Sequence, residues 1–309
     1  MINPKTKQRL EIQQYGLAGK HSSVKICHWT KKSLRDEDVC YKEKFYGVHC
    51  HKCAQITPAT LWCPNKCVFC WRVAEYMSPN KAKLNDPPEK IVKEIIEQRK
   101  KLLIGFKGNK KTRQKKLEDA LIPNHWAISL AGEPCLYSKL PQLIKLLKTK
   151  YKAKTIYLVT NGLYPAMLNK LIKTNSLPTQ LYISMFAPNK ELYKKISKSS
   201  LRTYWSRYLK SLEIMKKLRG KINTVIRMTL IKDWNMANPE EYLKLIKIAN
   251  PKYIEVKAYS HLGFSRKRLN KENMSSHQEI KQFAQKLCKL SNYKIKNEKK
   301  ESRIVLLKN

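Results

Sequence analysis

Residues 58–72 read PATLWCPNKCVFCWR, an apolar run that ends on Cys63, breaks at Pro64 and goes on to Cys67 and Cys70, three cysteines within eight positions. Spacing of i, i+4 and i+7 would also align three small thiols on one helix face. Pro64, Asn65 and Lys66 directly after a strand-like run argue instead for a loop. Thiolates this close in sequence suit zinc or an iron–sulfur cluster. A structural zinc site normally closes with four ligands, whereas three thiolates on a four-iron cluster leave one iron open. The missing fourth cysteine therefore favours the cluster.

Working outward from that loop, apolar runs alternate with amphipathic ones. The pattern predicts strands at 58–63, 125–133, 155–162, 181–189, 223–231 and 252–260, with helices at 89–103, 140–150, 204–218 and 239–249 between them. This is the signature of parallel βα units. Polar residues gather at the C-terminal ends of the strands, where barrels place their sites. The expected fold is α/β, a partial (β/α)6 TIM-like barrel over 58–290. An N-terminal extension, 1–57, carries further cysteines, and 291–309 forms a tail or strand.

Composition narrows the class. The chain of 309 residues is 42% hydrophobic, enough for a large core, and carries 64 Lys+Arg against 23 Asp+Glu, a net charge of +41. Such a field favours polyanions, and nucleic acid is the expected partner. No apolar stretch is long enough to span a membrane, and the N-terminus MINPKTKQRLEIQQYG lacks the apolar core of a signal peptide. Cytoplasmic residence follows as the expectation. Nine cysteines then read as ligands or buried thiols rather than disulfides.

The C-x₃-C-x₂-C spacing, with Phe69 before the last cysteine, resembles the signature loop of radical S-adenosylmethionine (SAM) enzymes. LAGEP (130–134) is similar to the superfamily's Gly-Gly-Glu segment, with Ala131 in place of the first glycine. The resemblance implies that Gly132 and Glu133 hold the methionine amino group, with Phe69 part of the signature; from their strand positions Asn161, Ser184 and Arg227 are further candidates for the cofactor, Arg227 for a carboxylate or phosphate. Cys27, Cys40 and Cys53, spaced twelve residues apart, extend the likeness to the archaeal tRNA 4-demethylwyosine synthases, radical enzymes of the wybutosine pathway. AISLAGEP, QLYISMFA, RMTLIKDWN and IEVKAYSHLGFSRKRL continue it over roughly residues 20–290. That family implies two 4Fe-4S clusters, the second on Cys27, Cys40 and Cys53, each with one open iron. It implies SAM as cofactor, pyruvate as carbon donor, and N1-methylguanosine beside the anticodon of phenylalanine tRNA as target. An external electron-donor protein, a monomer and a carbon–carbon lyase complete that expectation. SMFA at 184–187 departs from it, because Phe186 stands where relatives carry an acid.

Three groups of residues remain. Cys50 forms a C-x₂-C pair with Cys53 and is read as a spare thiol, with Cys135 and Cys288 as core or surface thiols. Glu255, Lys257 and Tyr259 share one face of their strand, serving a site or a buried ion pair; Lys257 is the candidate Schiff-base amine. Trp71, Arg72, Lys110, Lys111, Arg113, Arg266, Lys267 and Arg268 are candidates for gripping phosphates and stacking on unpaired bases. His277 reads as a helix-capping or packing residue. The competing class is a zinc-containing RNA-binding protein without catalysis, and a third option is radical chemistry on another RNA.

Overall fold

The computed structural model describes residues 2, 4–79 and 84–309. Two compact units are present, one of residues 1–62, 80–158 and 170–179, the other of 63–79, 159–169 and 180–309. In chain order the elements begin α1 (Pro4–Ile12), β1 (Gly16–Ala18), β2 (Ser22–Lys25), α2 (His28–Leu34), α3 (Tyr41–Tyr46) and β3 (Cys53–Thr57). Then follow α4 (Pro88–Leu103), α5 (Gln114–Leu121), β4 (His125–Ile128), α6 (Leu140–Thr149), β5 (Thr155–Thr160) and α7 (Pro165–Lys173). The remainder is β6 (Gln180–Met185), α8 (Lys190–Ser197), α9 (Tyr204–Leu218), β7 (Asn223–Leu230), α10 (Pro239–Ala249) and β8 (Tyr253–Ala258). After these come α11 (His277–Lys289), β9 (Lys294–Lys299) and β10 (Ile304–Lys308).

In the first unit β3, β4 and β5 pair in parallel, and the β1–β2 hairpin adds antiparallel to β3. In the second, β6, β7 and β8 pair in parallel, and β10 adds antiparallel to β8 with β9 beyond it. Six parallel strands separated by helices satisfy the βα expectation. All four residues of β4 are buried, as strands covered on both faces require. The expected helices form within a residue or two of their sequence positions, because their apolar stripes (Leu143, Ile144 and Leu147 on α6) match the helical period.

One element differs. The first parallel strand is β3, whereas the sequence pattern placed it at 58–63. Pro58 has no N–H to give a ladder. The chain turns there, with the Ala59 N–H bonded to Thr57 Oγ1 at 3.1 Å and the Trp62 N–H to the Ala59 carbonyl at 3.2 Å. The stretch counted as extension thus holds a hairpin and the first parallel strand, with Cys53 opening it. Residues 291–309 form the β9–β10 pair.

Candidate active site: two sets of cysteines

The signature loop lies in the second unit and is held by its backbone. Lys66 and Val68 N–H groups donate to the carbonyls of Ser197 and Ile196 at 2.9 Å each, and the Cys63 N–H donates to Ser78 at 3.1 Å. Arg268 closes the loop from another element. Its Nε donates to the Val68 carbonyl at 3.1 Å, while its Nη atoms bond the Cys70 carbonyl and the Glu75 carboxylate. Phe69 packs on Phe186 with ring centroids 5.2 Å apart, and Phe186 on Tyr193 at 4.7 Å. The departure at 186 therefore supports the loop from below with an apolar contact. Asn161 Nδ2 reaches Cys63 Sγ at 3.8 Å and its Oδ1 accepts from the Leu163 N–H at 2.9 Å. Burial pushes the Cys67 thiol well up, and the neighbouring Cys70 and Cys63 add to the rise, so the three thiols feel one another.

Removing the Arg268 fork has a definite expected result. Arg268→Ala forfeits two charge-assisted bonds to loop carbonyls, about 3 kcal/mol in all. Both the melting temperature and the iron bound per chain should fall. Arg268→Lys, lacking the planar fork, should recover only part of each. An iron content unchanged in the alanine variant would show that the loop needs no clamp.

The other residues expected to face SAM divide between the units. In the first, Gly132 has φ +70°, and a Cβ there would lie 1.7 Å from the Ala59 carbonyl oxygen, so glycine is obligatory. The Glu133 N–H donates to the Trp62 carbonyl at 2.7 Å, and its carboxylate caps a short turn by accepting from the Cys135 N–H at 3.0 Å. In the second, Ser184, Arg227 and Glu255 lie in one register row of β6, β7 and β8. Arg227 pairs with the fully buried Glu255 carboxylate at 2.8 Å, which also accepts from Tyr182 Oη at 3.1 Å. The polar strand face thus includes a buried ion pair. Lys257 Nζ lies 3.1 Å from the Ser302 carbonyl and 3.4 Å from both the Ala258 carbonyl and Ser260 Oγ.

The upstream cysteines lie in the first unit. Cys27 caps α2, its sulfur accepting from the Thr30 N–H at 3.3 Å, and Cys40 caps α3, accepting from the Lys42 N–H at 3.5 Å. Burial pushes the Cys40 thiol well up, with the Lys42 charge opposing the rise. Cys50 is 2% exposed, accepts from the Cys40 N–H at 3.5 Å and donates to the Trp29 carbonyl at 3.7 Å. Burial pushes Cys50 up to about 12 and Cys53 up to about 11, the latter opposed by the Lys42 charge.

Two cations beside this set escaped the sequence reading. Lys42 is 8% exposed, with Nζ 4.2 Å from the Tyr157 ring centroid. Arg99 is fully buried and donates to the carbonyls of His51, Cys53 and Ala120 at 2.8, 3.0 and 2.8 Å. Among the described residues no carboxylate pairs with it; burial lowers it to about 10. A buried cation without a carboxylate calls for another anion, which Cys27, Cys40 and Cys53 would supply as thiolates on binding metal. That charge balance fits a cluster. Among the described residues no three Cys, His, Asp or Glu side chains are arranged around a single metal ion. A four-iron cluster does not need that arrangement, since each thiolate bonds a different iron.

Of the expected RNA contacts, Lys110, Lys111 and Arg113 are exposed on the first unit, Arg113 pairing with Asp36 at 2.8 Å. On the second unit Arg72 is buried, its guanidinium carbon 3.4 Å from the Trp71 ring centroid. Trp71, Arg266 and Lys267 are exposed there, whereas Arg268 is engaged with the loop. His277 opens α11 and pairs with Glu298 at 3.1 Å, a packing role.

Comparison with known proteins agrees with this geometry. The profile of the radical SAM superfamily matches residues 57–246, and one described as wyosine base formation matches 248–309. The S-adenosyl-L-methionine-dependent tRNA 4-demethylwyosine synthase of Pyrococcus abyssi is 46% identical over 96% of this chain and 86% of its own length. That of Methanocaldococcus jannaschii is 37% identical over 100% and 97%. Human TYW1 is 37% identical over 99% of this chain, which spans 41% of it. A solved structure of TYW1 with a lysine–pyruvate adduct bound matches at TM-score 0.88 and 36% identity, covering 100% of this chain and 97% of that one. The fold and the three-cysteine loop are those of a radical SAM protein with a partial (β/α)6 barrel. Within that superfamily the chain belongs to the family of S-adenosyl-L-methionine-dependent tRNA 4-demethylwyosine synthases, enzymes that form the wyosine base in tRNA.

Proposed function

We propose that the chain builds the third ring of 4-demethylwyosine on N1-methylguanosine beside the anticodon of phenylalanine tRNA, taking carbon from pyruvate. The observation that carries the pyruvate step is Lys42, a shielded amine two residues from Cys40 whose charge also acts on Cys53. Cys63, Cys67 and Cys70 would hold one 4Fe-4S cluster, and Cys27, Cys40 and Cys53 a second. When bound, the first supplies the electron that cleaves SAM and opens radical chemistry on the N-methyl group. On the family resemblance Gly132 and Glu133 would hold the methionine end of SAM; Asn161 bonds Cys63, and Phe69 packs on Phe186.

Lys42 Nζ attacks the keto carbon of pyruvate, water leaves, and the imine holds the donor beside the upstream cysteines. The TYW1 structure described with a lysine–pyruvate adduct bound supports this kind of linkage. Lys257, the amine suggested by strand alternation, already has three oxygens around Nζ. The reading also entails an external electron-donor protein, a monomer, cytoplasmic residence and a lyase-type carbon–carbon step.

Cyanoborohydride trapping with isotopically labelled pyruvate, followed by peptide mass mapping, tests it. The label should appear on the peptide containing Lys42 and vanish in Lys42→Arg, together with the tricyclic nucleoside in treated tRNA. Lys257→Arg should keep both. Label on Lys257 would reverse the assignment.

A further inference from the structure

The signature loop continues into an exposed aromatic surface that the chemistry above does not use. After Cys70, Trp71 is 40% exposed and Tyr76 is 36% exposed; on the facing segment Leu262 is 48% exposed and Phe264 partly so. Tyr76 and Phe264 meet edge to face with centroids 6.4 Å apart, and Lys267 Nζ lies 5.2 Å from the Phe264 centroid. The two segments are joined by backbone. The Phe264 N–H donates to the Trp71 carbonyl at 3.2 Å, and Gly263 sits at φ +51° so close that a Cβ would lie 2.4 Å from that oxygen. Arg268 adds its bonds to the cysteine loop and pairs with Glu75, which offsets that carboxylate's charge.

Exposed aromatic rings held rigidly beside cations are a poor solvent surface and a good base-stacking one. Large aromatic area in water is unfavourable unless a partner covers it. Unpaired nucleobases offer flat π-faces to aromatic side chains, while their phosphates meet nearby lysine and arginine. Arg266 and Lys267 are both exposed here, and the chain's net charge is +41. An acidic or apolar protein partner would satisfy only half of the patch, whereas single-stranded RNA satisfies both.

We infer that Trp71, Tyr76 and Phe264 form a stacking platform for unpaired bases of the anticodon loop, with Lys267 and Arg266 on the flanking phosphates. The inference rests on the tRNA reading and specifies how that substrate is held. Since the platform shares its backbone anchors with the cysteine loop, a stacked neighbour fixes the target nucleotide relative to Cys63, Cys67 and Cys70. Duplex RNA, whose bases are already stacked, gains nothing from it.

The test uses cluster-loaded protein under anaerobic conditions and fluorescence anisotropy with two labelled probes: an RNA hairpin with an anticodon-type loop, and a fully paired duplex of equal length. Replacing Tyr76 and Phe264 by leucine should weaken hairpin binding about five- to hundredfold, the range of one to a few lost stacking contacts. The duplex affinity and the dependence of hairpin affinity on salt should stay unchanged. Lys267→Ala should weaken both probes and lower the salt slope by about one. Should the leucine variants not fold, Phe264→Trp provides the measurement, since its indole fluorescence should be quenched by the hairpin and not by the duplex. Unchanged hairpin binding, equal losses on both probes, or an unquenched indole would each overturn the platform. Wild-type protein that binds neither probe would instead overturn the tRNA reading beneath it.

Discussion

Alanine at Cys63, Cys67 and Cys70 together should abolish reductive cleavage of SAM while leaving iron at the upstream cysteines. The loop is anchored mainly through its backbone. Lys66, Val68 and Cys63 are held through backbone N–H groups, and Arg268 holds the Val68 and Cys70 carbonyls. Substitution therefore removes the thiolates without dissolving the loop. The upstream set belongs to another compact unit, where α2, α3 and β3 present it. Iron per chain should drop by about four, with a remaining paramagnetic signal on reduction. 5′-Deoxyadenosine formation should fall to background. Undiminished 5′-deoxyadenosine would remove the loop from the chemistry altogether.

The parallel strands and the cysteine loop were legible because each is encoded locally. Periodicity names a helix or strand, and a proline after a cysteine names a loop. The error at the first strand shows where local signals stop. PATLWC is apolar but begins with a proline that cannot join a ladder, whereas CAQIT is half polar and forms β3 between β2 and β4. Contacts across the chain were not legible. Arg268 reads as one more cation in GFSRKRL, and only the fold brings its fork to carbonyls some 200 positions away. Arg227 and Glu255 become a pair only through the β7–β8 register.

Arg99 left a trace that could have been followed. It falls at i+8 from Ile91 and i+4 from Ile95, on the apolar stripe of α4, where a charged residue requires a buried partner. Lys42 left a weaker one, two positions beyond a candidate ligand and just past the start of a six-residue helix. Both point to the same place, the upstream cysteines.

At that place two signals in the sequence conflict, and the structure supplies the means to separate them. A C-x₂-C pair at 50 and 53 argues for two ligands on one ion, whereas the ladder 27–40–53 argues for three thiolates and an open iron. Cys50 is 2% exposed and its sulfur is bonded to backbone at Cys40 and Trp29, so its environment resembles that of a packing thiol. Cys53 is partly exposed, opens β3, and has Arg99 on its own carbonyl. An open iron would also have a chemical purpose, since it would leave room for the oxygens of pyruvate. Cys50→Ala should therefore keep both clusters and the tricyclic nucleoside, at a stability cost of about 1 kcal/mol for a small buried side chain. Cys53→Ala should lose about four irons per chain and the tricyclic product, yet continue to cleave SAM. Iron quantification alongside mass spectrometry of nucleosides from treated tRNA distinguishes the two. If the Cys50 variant sheds the cluster instead, Cys50 is a ligand, and the three-thiolate reading of 27–40–53 fails.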